Sequence, residues 1–404
     1  MDFGGRAGAA REVGITGLGA VTAFGVGVEC LWRALLLGEC ALGPVTLFDA
    51  SRYQSRFAAE APLIPPDPIE QVAERGQCLA LAAAAEALGA DPATFGGPRA
   101  GIVVGTTLGG NRLWTNWLSR NGAAQRCPHE ALRNSSISSA TRLLALRTGA
   151  RGPALTLSVA CASGTAAIGI GAELIRRGEA DQVLAGGYDA LSEFVFAGFD
   201  SLRALSTTTV RPFDRRRDGL GLGEGAGFVL LEELDFAKRR GAEVLALVRG
   251  YASASDAHHM TRPSPEGDGL VRALKGALGR AGLPADAIEF VSAHGTATPF
   301  NDRMEAAGLR RVFGERTASV PINSIKGALG HTLGAAGALE AVMTTLVLRR
   351  GVIPPTANLE EVDPAFGMDL VTGAPRTLSS PLSIAASTSS AFAGTNAALI
   401  LERA

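Results

Sequence analysis

The chain has 404 residues, room for one large α/β domain or two smaller ones at roughly 100–200 residues per domain. Its 38 Lys and Arg against 39 Asp and Glu leave a net charge of −1, with charged residues at only 19%, so no polyelectrolyte partner such as a nucleic acid organises the surface. Hydrophobic residues at 47% exclude wholesale disorder, and 51 glycines beside only 5% aromatics predict tightly approaching layers of Ala, Leu, Val, Ile and Gly.

Along the chain, Arg11–Val21 and Arg99–Leu108 each join β-branched residues to glycines and read as central strands, with the Ala-rich Gln71–Leu88 between them as a buried helix. Ala154–Ala160 reads as a strand that runs into Cys161 and then into a helix closed by Gly178. Asp181–Gly187 and Gly227–Glu232 are further strands, the second feeding a helix that opens on Glu232, Glu233 and Asp235 and closes on Lys238–Arg239–Arg240–Gly241, as the helix dipole favours. The same order then repeats: strand Val244–Arg249, helix Gly269–Ala281, strand Ile288–Ala293, helix Asn301–Phe313, strand Val320–Asn323, helix Leu333–Arg349, and strands Ser383–Ser387 and Ala397–Leu401. This alternation predicts a largely parallel, helix-covered sheet in two similar halves, residues 1–240 and 241–404, dividing near Lys238–Glu243. Gly152–Ala172 and Thr377–Leu401 carry no charge, yet their Ser, Thr, Gly and Ala read as buried strands and helices and not as membrane spans.

The five cysteines, Cys30, Cys40, Cys78, Cys127 and Cys161, are widely spaced and form no CxxC pair, which excludes a disulfide framework or a zinc site. The first residues, MDFGGRAGAAREVG, lack the basic start and apolar run of a signal peptide and predict a cytoplasmic chain. A free cysteine is ordinarily a small buried hydrophobe, and the first four read that way. Cys161 differs, because a helix N-terminus lowers a thiol's pKa and its Ala and Ser neighbours leave room for a substrate. Of the five histidines, His129, His258 and His259 lie in polar, loop-like sequence and carry no role. His294 ends a strand and His331 lies amid Gly and Ala; each is either hydrogen-bonded in the core or working at a site, and Cys with His is a known nucleophile arrangement. The GxGxxA string in Gly221–Gly227 follows no strand and is a weak dinucleotide match, while Arg215–Arg217 reads as a solvated face or an ion-pair network.

Six strings taken together resemble elongating type II β-ketoacyl-acyl carrier protein synthases, and the match spans nearly the whole chain. They are ITGLGAVTAFG at Ile15–Gly25, VACASG around Cys161, LRALSTTTVRPFDRRRDGLGLGEGAG at Leu202–Gly227, AHGTATPFND at Ala293–Asp302, NSIKGALGHTLGAAG at Asn323–Gly337 and AFAGTNAALI at Ala391–Ile400. The resemblance implies a thiolase-like five-layer αβαβα fold of two similar halves, the first carrying the cysteine and the second the two histidines. It implies an acyl carrier protein as partner, and a homodimer or a heterodimer with a chain-length-factor-like subunit. No metal or redox cofactor is implied, since the phosphopantetheine arm arrives on the carrier.

Position by position, the resemblance makes Cys161 the acyl-accepting nucleophile and His294 and His331 the partners of a Cys-His-His triad, where initiating enzymes use Cys-His-Asn. Lys326 matches the lysine near the triad and Glu340 its carboxylate partner. Thr296 and Thr298 match the threonines that hold the phosphopantetheine arm, and Leu108 a position lining the acyl pocket. Phe392 matches the gating phenylalanine, whose N–H joins that of Cys161 in an oxyanion hole, and Phe194, Phe196 and Phe199 read as pocket wall, dimer contact or plain core. Such a site implies decarboxylative condensation of malonyl-acyl carrier protein with a Cys161-bound acyl chain. A chain-length-factor-like subunit normally lacks the cysteine, and a thiolase would carry a second one late in the chain, where none follows Cys161. Two departures stand out: Ser158–Val159 replace the usual Asp-Thr, and Ala391 and Ala393 replace glycines in the gate. Alanine narrows backbone freedom, which predicts a gate of restricted movement or altered path and a specialised polyketide or polyene pathway ahead of housekeeping fatty acid elongation.

Overall fold

A run of small and β-branched residues, Val13–Thr22 (β1), forms the strand on which the two halves of the main sheet meet in the computed structural model, which describes residues 11–65, 74–89, 94–121, 129–378 and 380–404. The first half continues through helix Arg75–Leu88 (α1), strands Ala100–Gly105 (β2) and Ala154–Leu157 (β3), helix Ser163–Arg176 (α2), strand Gln182–Asp189 (β4), helix Glu193–Ser201 (α3) and strand Gly225–Glu233 (β5). The second half supplies strand Ala246–Ser255 (β6), helix Asp268–Ala281 (α4), strand Phe290–Ser292 (β7), helix Pro299–Phe313 (α5), strand Pro321–Asn323 (β8), helix Ala336–Arg350 (α6), and strands Asp369–Leu370 (β9), Ile384–Ser390 (β10) and Thr395–Arg403 (β11). The strand order is β9-β8-β7-β10-β11-β6-β1-β5-β4-β2-β3. Setting β9 aside, each half repeats one arrangement: its third, second and fourth strands run parallel, and its fifth strand pairs antiparallel with both the fourth and the first.

The sheet is therefore mixed, which corrects the expectation of a largely parallel one. Alternating strands and helices do not encode the direction of the last strands. In the second half β10 returns into β11 across residues 391–394, a connection far too short for the crossover a parallel pair needs.

Five layers result. The helix α1 covers the outer face of the first half-sheet, α2 and α6 lie between the half-sheets, and α4 and α5 cover the second. Three hydrophobic clusters fill the gaps: Leu79, Ala83, Ile102 and Phe228 outside the first half-sheet; Ile168, Val229, Leu339 and Val342 in the middle; Leu274, Val291, Leu309 and Ile400 outside the second. The glycine-rich composition acts where layers touch. A Cβ on Gly17 or Gly19 would come within 1.9 Å of the carbonyls of Ala87 and Ala83 in α1, so that helix lies on β1 at backbone distance.

The first charge-free stretch forms β3, the Cys161 turn and the start of α2, and the second most of the β10–β11 hairpin. The helix α2 and the hairpin strands are buried as expected, whereas β3 is not, Ala154 and Leu155 being exposed on the strand at the edge of the sheet, which corrects its reading as buried. Among the described residues no helix is long and apolar enough to cross a membrane. Cys78 is buried, Cys30 half-buried and Cys40 exposed, whereas Cys127, residues 71–73 of the predicted first helix and the His129 side chain lie outside the described residues. The run Arg215–Arg217 is an ion-pair network with Glu361, Glu360 and Asp363.

Candidate active site

Cys161 sits in the turn between β3 and α2, and the turn is held by its own side chains. Ser163 Oγ donates to the Ala160 carbonyl at 2.6 Å and accepts the Val159 N–H at 2.9 Å, while Ala160 takes a left-handed φ of +49°. A non-glycine residue in that region is strained, and here the strain falls on the residue before the nucleophile. Burial pushes the Cys161 thiol up to about 12, against the Lys326 ammonium and the N–H groups of Phe392 and Cys161 directed at the sulfur. This corrects the sequence expectation of a lowered pKa: in an enclosed site the cost of desolvating a thiolate outweighs the pull of the helix terminus.

The two histidines arrive from separate loops after β7 and β8, and their rings stand 5.2 Å apart in a T-shaped arrangement. The Leu333 N–H donates to Nδ1 of His331 at 3.3 Å, and Lys326 Nζ lies 3.2 Å from Nδ1 of His294, so each Nδ1 accepts and each ring carries its proton on Nε2. Burial first, then the Lys326 charge, lowers both imidazoles well below their ordinary value, and His331 adds to the effect on His294. Both rings are thus neutral N–H donors at physiological pH.

Lys326 also donates to the His294 carbonyl at 2.6 Å and pairs with Glu340 of α6. Burial raises the Glu340 carboxyl, opposed by Lys326 and by Ser389, whose hydroxyl reaches Glu340 Oε2 at 3.4 Å and Thr165 Oγ1 at 2.7 Å. Backbone pairing fixes His331: its N–H donates to the Gly221 carbonyl at 2.6 Å and its own carbonyl accepts from Gly223 at 3.0 Å. Gly221 and Gly223 of the GLGEGAG string therefore form the backbone ladder behind His331.

A cavity of about 340 Å³ brings these groups together; Cys161, His294, His331, Thr296, Thr298 and Phe392 line it. The two threonine hydroxyls lie 2.9 Å apart, and Thr298 caps α5. Phe392 stacks on Phe199 at 5.4 Å, so Phe199 is a wall of the gate, while Phe196 packs in the core against Phe48 and Tyr53 and Phe194 is exposed. Leu108 is not part of the lining; it packs against a cluster containing Phe196, Leu222 and Leu333, and its N–H donates to Asp189 at 3.1 Å. In the gate, Ala391 has ordinary extended angles, but Ala393 stands at φ +65°.

Sequence reasoning missed the residues that hold these loops. The buried Asp189 accepts from Thr106 Oγ1 at 2.7 Å, from the N–H of Thr107 at 2.9 Å and from that of Gly334 at 2.7 Å, tying the turn after β2 to the loop that carries His331. Glu305 accepts the N–H groups of His294 and Gly295 at 2.7 and 2.6 Å. Asp302, inside the quoted AHGTATPFND string, accepts from Phe213 at 2.7 Å. Asp302 and Glu305 lie with Asn301 on the buried face of α5, and Asp189 ends the buried strand β4, so the signal in each case is an acidic residue inside a buried element. His259, given no role, accepts the N–H groups of Thr261 and Arg262 at Nδ1 and shapes the loop beside the cavity mouth.

Comparison with known proteins matches residues 10–237 to the family described as β-ketoacyl synthase, N-terminal domain, and residues 245–360 to β-ketoacyl synthase, C-terminal domain. The chain is 39% identical to the tetracenomycin polyketide synthase ketoacyl synthase alpha subunit of Streptomyces glaucescens, over 98% of both chains. It is 34% identical to 3-oxoacyl-[acyl-carrier-protein] synthase 2 of Coxiella burnetii, over 97% of this chain and 99% of that one. The solved structure of the ishigamide ketosynthase/chain length factor superposes with a TM-score of 0.92 at 36% identity, covering 98% of this chain and all of that one.

Proposed function

This chain belongs to the β-ketoacyl synthase family, and from that premise we propose that it joins an acyl chain held on Cys161 to the two carbons left when malonyl-acyl carrier protein loses CO₂. One observation carries the reading: two neutral imidazoles with their protons on Nε2 share a cavity with a thiol at which a backbone N–H is aimed. Acylation comes first. Cys161 Sγ attacks the acyl thioester carbonyl, and the carrier's sulfur leaves with the proton that Cys161 gives up. Charge developing on the carbonyl oxygen meets the N–H groups of Cys161 and Phe392, each worth about 3–4 kcal/mol in such a site.

The malonyl thioester follows, its carbonyl oxygen accepting from Nε2–H of His294 and of His331. The bond to the carboxylate breaks, CO₂ leaves, and the electron pair stays as an enolate held by those two donors. Its carbon attacks the acyl–Cys161 carbonyl, the C–S bond breaks, and the released thiolate takes a proton from water. Neutral rings suit this role, because an imidazolium would hand its proton to the enolate before the new bond formed. Lys326 and Glu340 act as positioning residues for His294, and Thr296 and Thr298 hold the arm.

Atoms and electrons balance without a metal or redox cofactor, loss of CO₂ supplying the driving force. The partner is an acyl carrier protein. The relatives and the two altered gate glycines favour a specialised polyketide-type pathway, with fatty acid elongation second, and Cys161 makes this chain the catalytic side of any heterodimer with a chain-length-factor-like subunit. A reactive thiol at the centre of the chemistry is consistent with the reducing cytoplasm. Incubation with acyl- and malonyl-carrier protein should yield an acyl adduct on Cys161 and a β-ketoacyl product by mass spectrometry. Cys161→Ala should give neither, and an unchanged product would refute the assignment.

A further inference from the structure

We propose that Arg262, at the mouth of the Cys161 cavity, binds the phosphate of the phosphopantetheine arm; the inference rests on the condensing reading above and names a residue that reading does not use. The cavity lining runs from Cys161 past Thr296 and Thr298 to Phe300, Arg203 and Arg262. At this mouth the guanidinium of Arg262 stands 5.4 Å from the Phe300 ring centroid, and Phe300 is itself 58% exposed in the first turn of α5. Stacking on a ring fixes the plane of a guanidinium and leaves its edge N–H donors free. The backbone beneath is fixed as well, because His259 Nδ1 accepts the Arg262 N–H at 3.3 Å.

The two arginines and two carboxylates of the lining cancel in charge, so what favours an anion at the mouth is which donors are left free. Two carboxylates share the lining, and both are occupied by other donors. Asp218 accepts from Ser206 Oγ at 2.6 Å and the Thr207 N–H at 3.2 Å; Asp256 accepts from Gly269 at 3.0 Å, Ser264 at 2.9 Å and Asn396 Nδ2 at 3.0 Å. Among the described residues no carboxylate oxygen lies within 4.0 Å of Arg262 or Arg203, whereas the run Arg215–Arg217 is fully paired with acids. Arg262 shares its side of the mouth with Thr298 and the start of the fifteen-residue α5, whose dipole also favours negative charge there. The carrier arm is a thioester at one end and a phosphate at the other, so an arm whose thioester reaches Cys161 presents its phosphate toward the rim.

The test compares malonyl thioesters of phosphopantetheine and of pantetheine, which differ only by the phosphate, with the full chain acylated on Cys161. Wild-type protein is expected to favour the phosphorylated substrate in kcat/KM by about tenfold, the size of one charge-assisted hydrogen bond. Arg262→Ala should bring that ratio close to one, Arg262→Lys should leave it intermediate, and Arg203→Ala should keep it within twofold of wild type. A ratio unchanged in Arg262→Ala, or lost in Arg203→Ala instead, overturns the assignment. Wild-type protein that condenses neither thioester overturns the condensing reading itself, and this inference with it.

Discussion

Lys326 Nζ lies 3.2 Å from Nδ1 of His294 and 2.6 Å from the same residue's carbonyl, so one buried ammonium fixes both the tautomer and the backbone of this histidine. The ammonium is held in turn by Glu340, and neither side chain is more than 2% exposed. Breaking a buried pair by removing one partner typically costs about 3–5 kcal/mol, because the other charge is left uncompensated.

Lys326→Met should therefore destabilise the fold by a few kcal/mol in denaturant unfolding and lose decarboxylation as well. The double variant Lys326→Met, Glu340→Gln separates the two effects. It removes the stranded carboxylate and should recover most of the stability, yet decarboxylation should remain at least tenfold down, because no donor holds Nδ1 of His294. Recovery of both would make Lys326 a purely structural residue.

The histidine pair makes a prediction about pH. Both imidazoles lie well below their ordinary value of 6.5, so the neutral rings needed for decarboxylation persist through the range where a free imidazole titrates. Release of CO₂ from malonyl-carrier protein should stay flat from about pH 8 to pH 6, and His331→Ala should abolish it. For stability the sign follows from the depressed values: the contribution is full above the ordinary imidazole range and is lost as pH falls toward the folded values. Asp302 and Glu305, raised to about 6 and about 7 by burial, act in the opposite direction, so CO₂ release is the cleaner readout.

A thiol raised to about 12 predicts sluggish alkylation. Iodoacetamide at pH 8 should label exposed Cys40 well before Cys161, and the Cys161 rate should keep climbing beyond pH 10. A covalent condensing-enzyme inhibitor such as cerulenin should still acquire Cys161. Cys161→Ala should remove that label. Rapid iodoacetamide labelling with a plateau below pH 8 would show that the thiol is ionised after all.

The residues that line the Cys161 cavity were legible in the sequence because each sits in a short string: Cys161, His294, His331, Thr296, Thr298 and Phe392 meet there. What the strings do not carry is the contact between strings. Asp189 joins Thr107 to Gly334, and Ser389 joins Thr165 to Glu340, across 49 to 224 positions. The thiol's pKa was misread for a related reason, since a helix terminus is visible in one dimension and burial is not. Strand direction fell to the same limit.

The gate tests how much its alanines matter. Ala391, at φ −121° and ψ 155°, holds a conformation open to any residue, whereas Ala393, at φ +65° and ψ 10°, holds one that costs an L-residue about 1–2 kcal/mol. Its N–H donates to the Met260 carbonyl at 2.7 Å, so the strained residue is tied to the loop across the cavity mouth. Ala393→Gly should relieve the strain and raise stability by about 1 kcal/mol, less the extra unfolded-state entropy of glycine. Ala391→Gly relieves nothing and should cost about 0.5–1 kcal/mol through that entropy alone. If the alanines restrain the gate, Ala393→Gly should also speed acylation of Cys161 by long acyl thioesters more than by short ones, since a long chain needs the wider opening past Phe392. Equal acceleration for both lengths, or a loss of stability in Ala393→Gly, would show that the left-handed alanine is not what limits the gate.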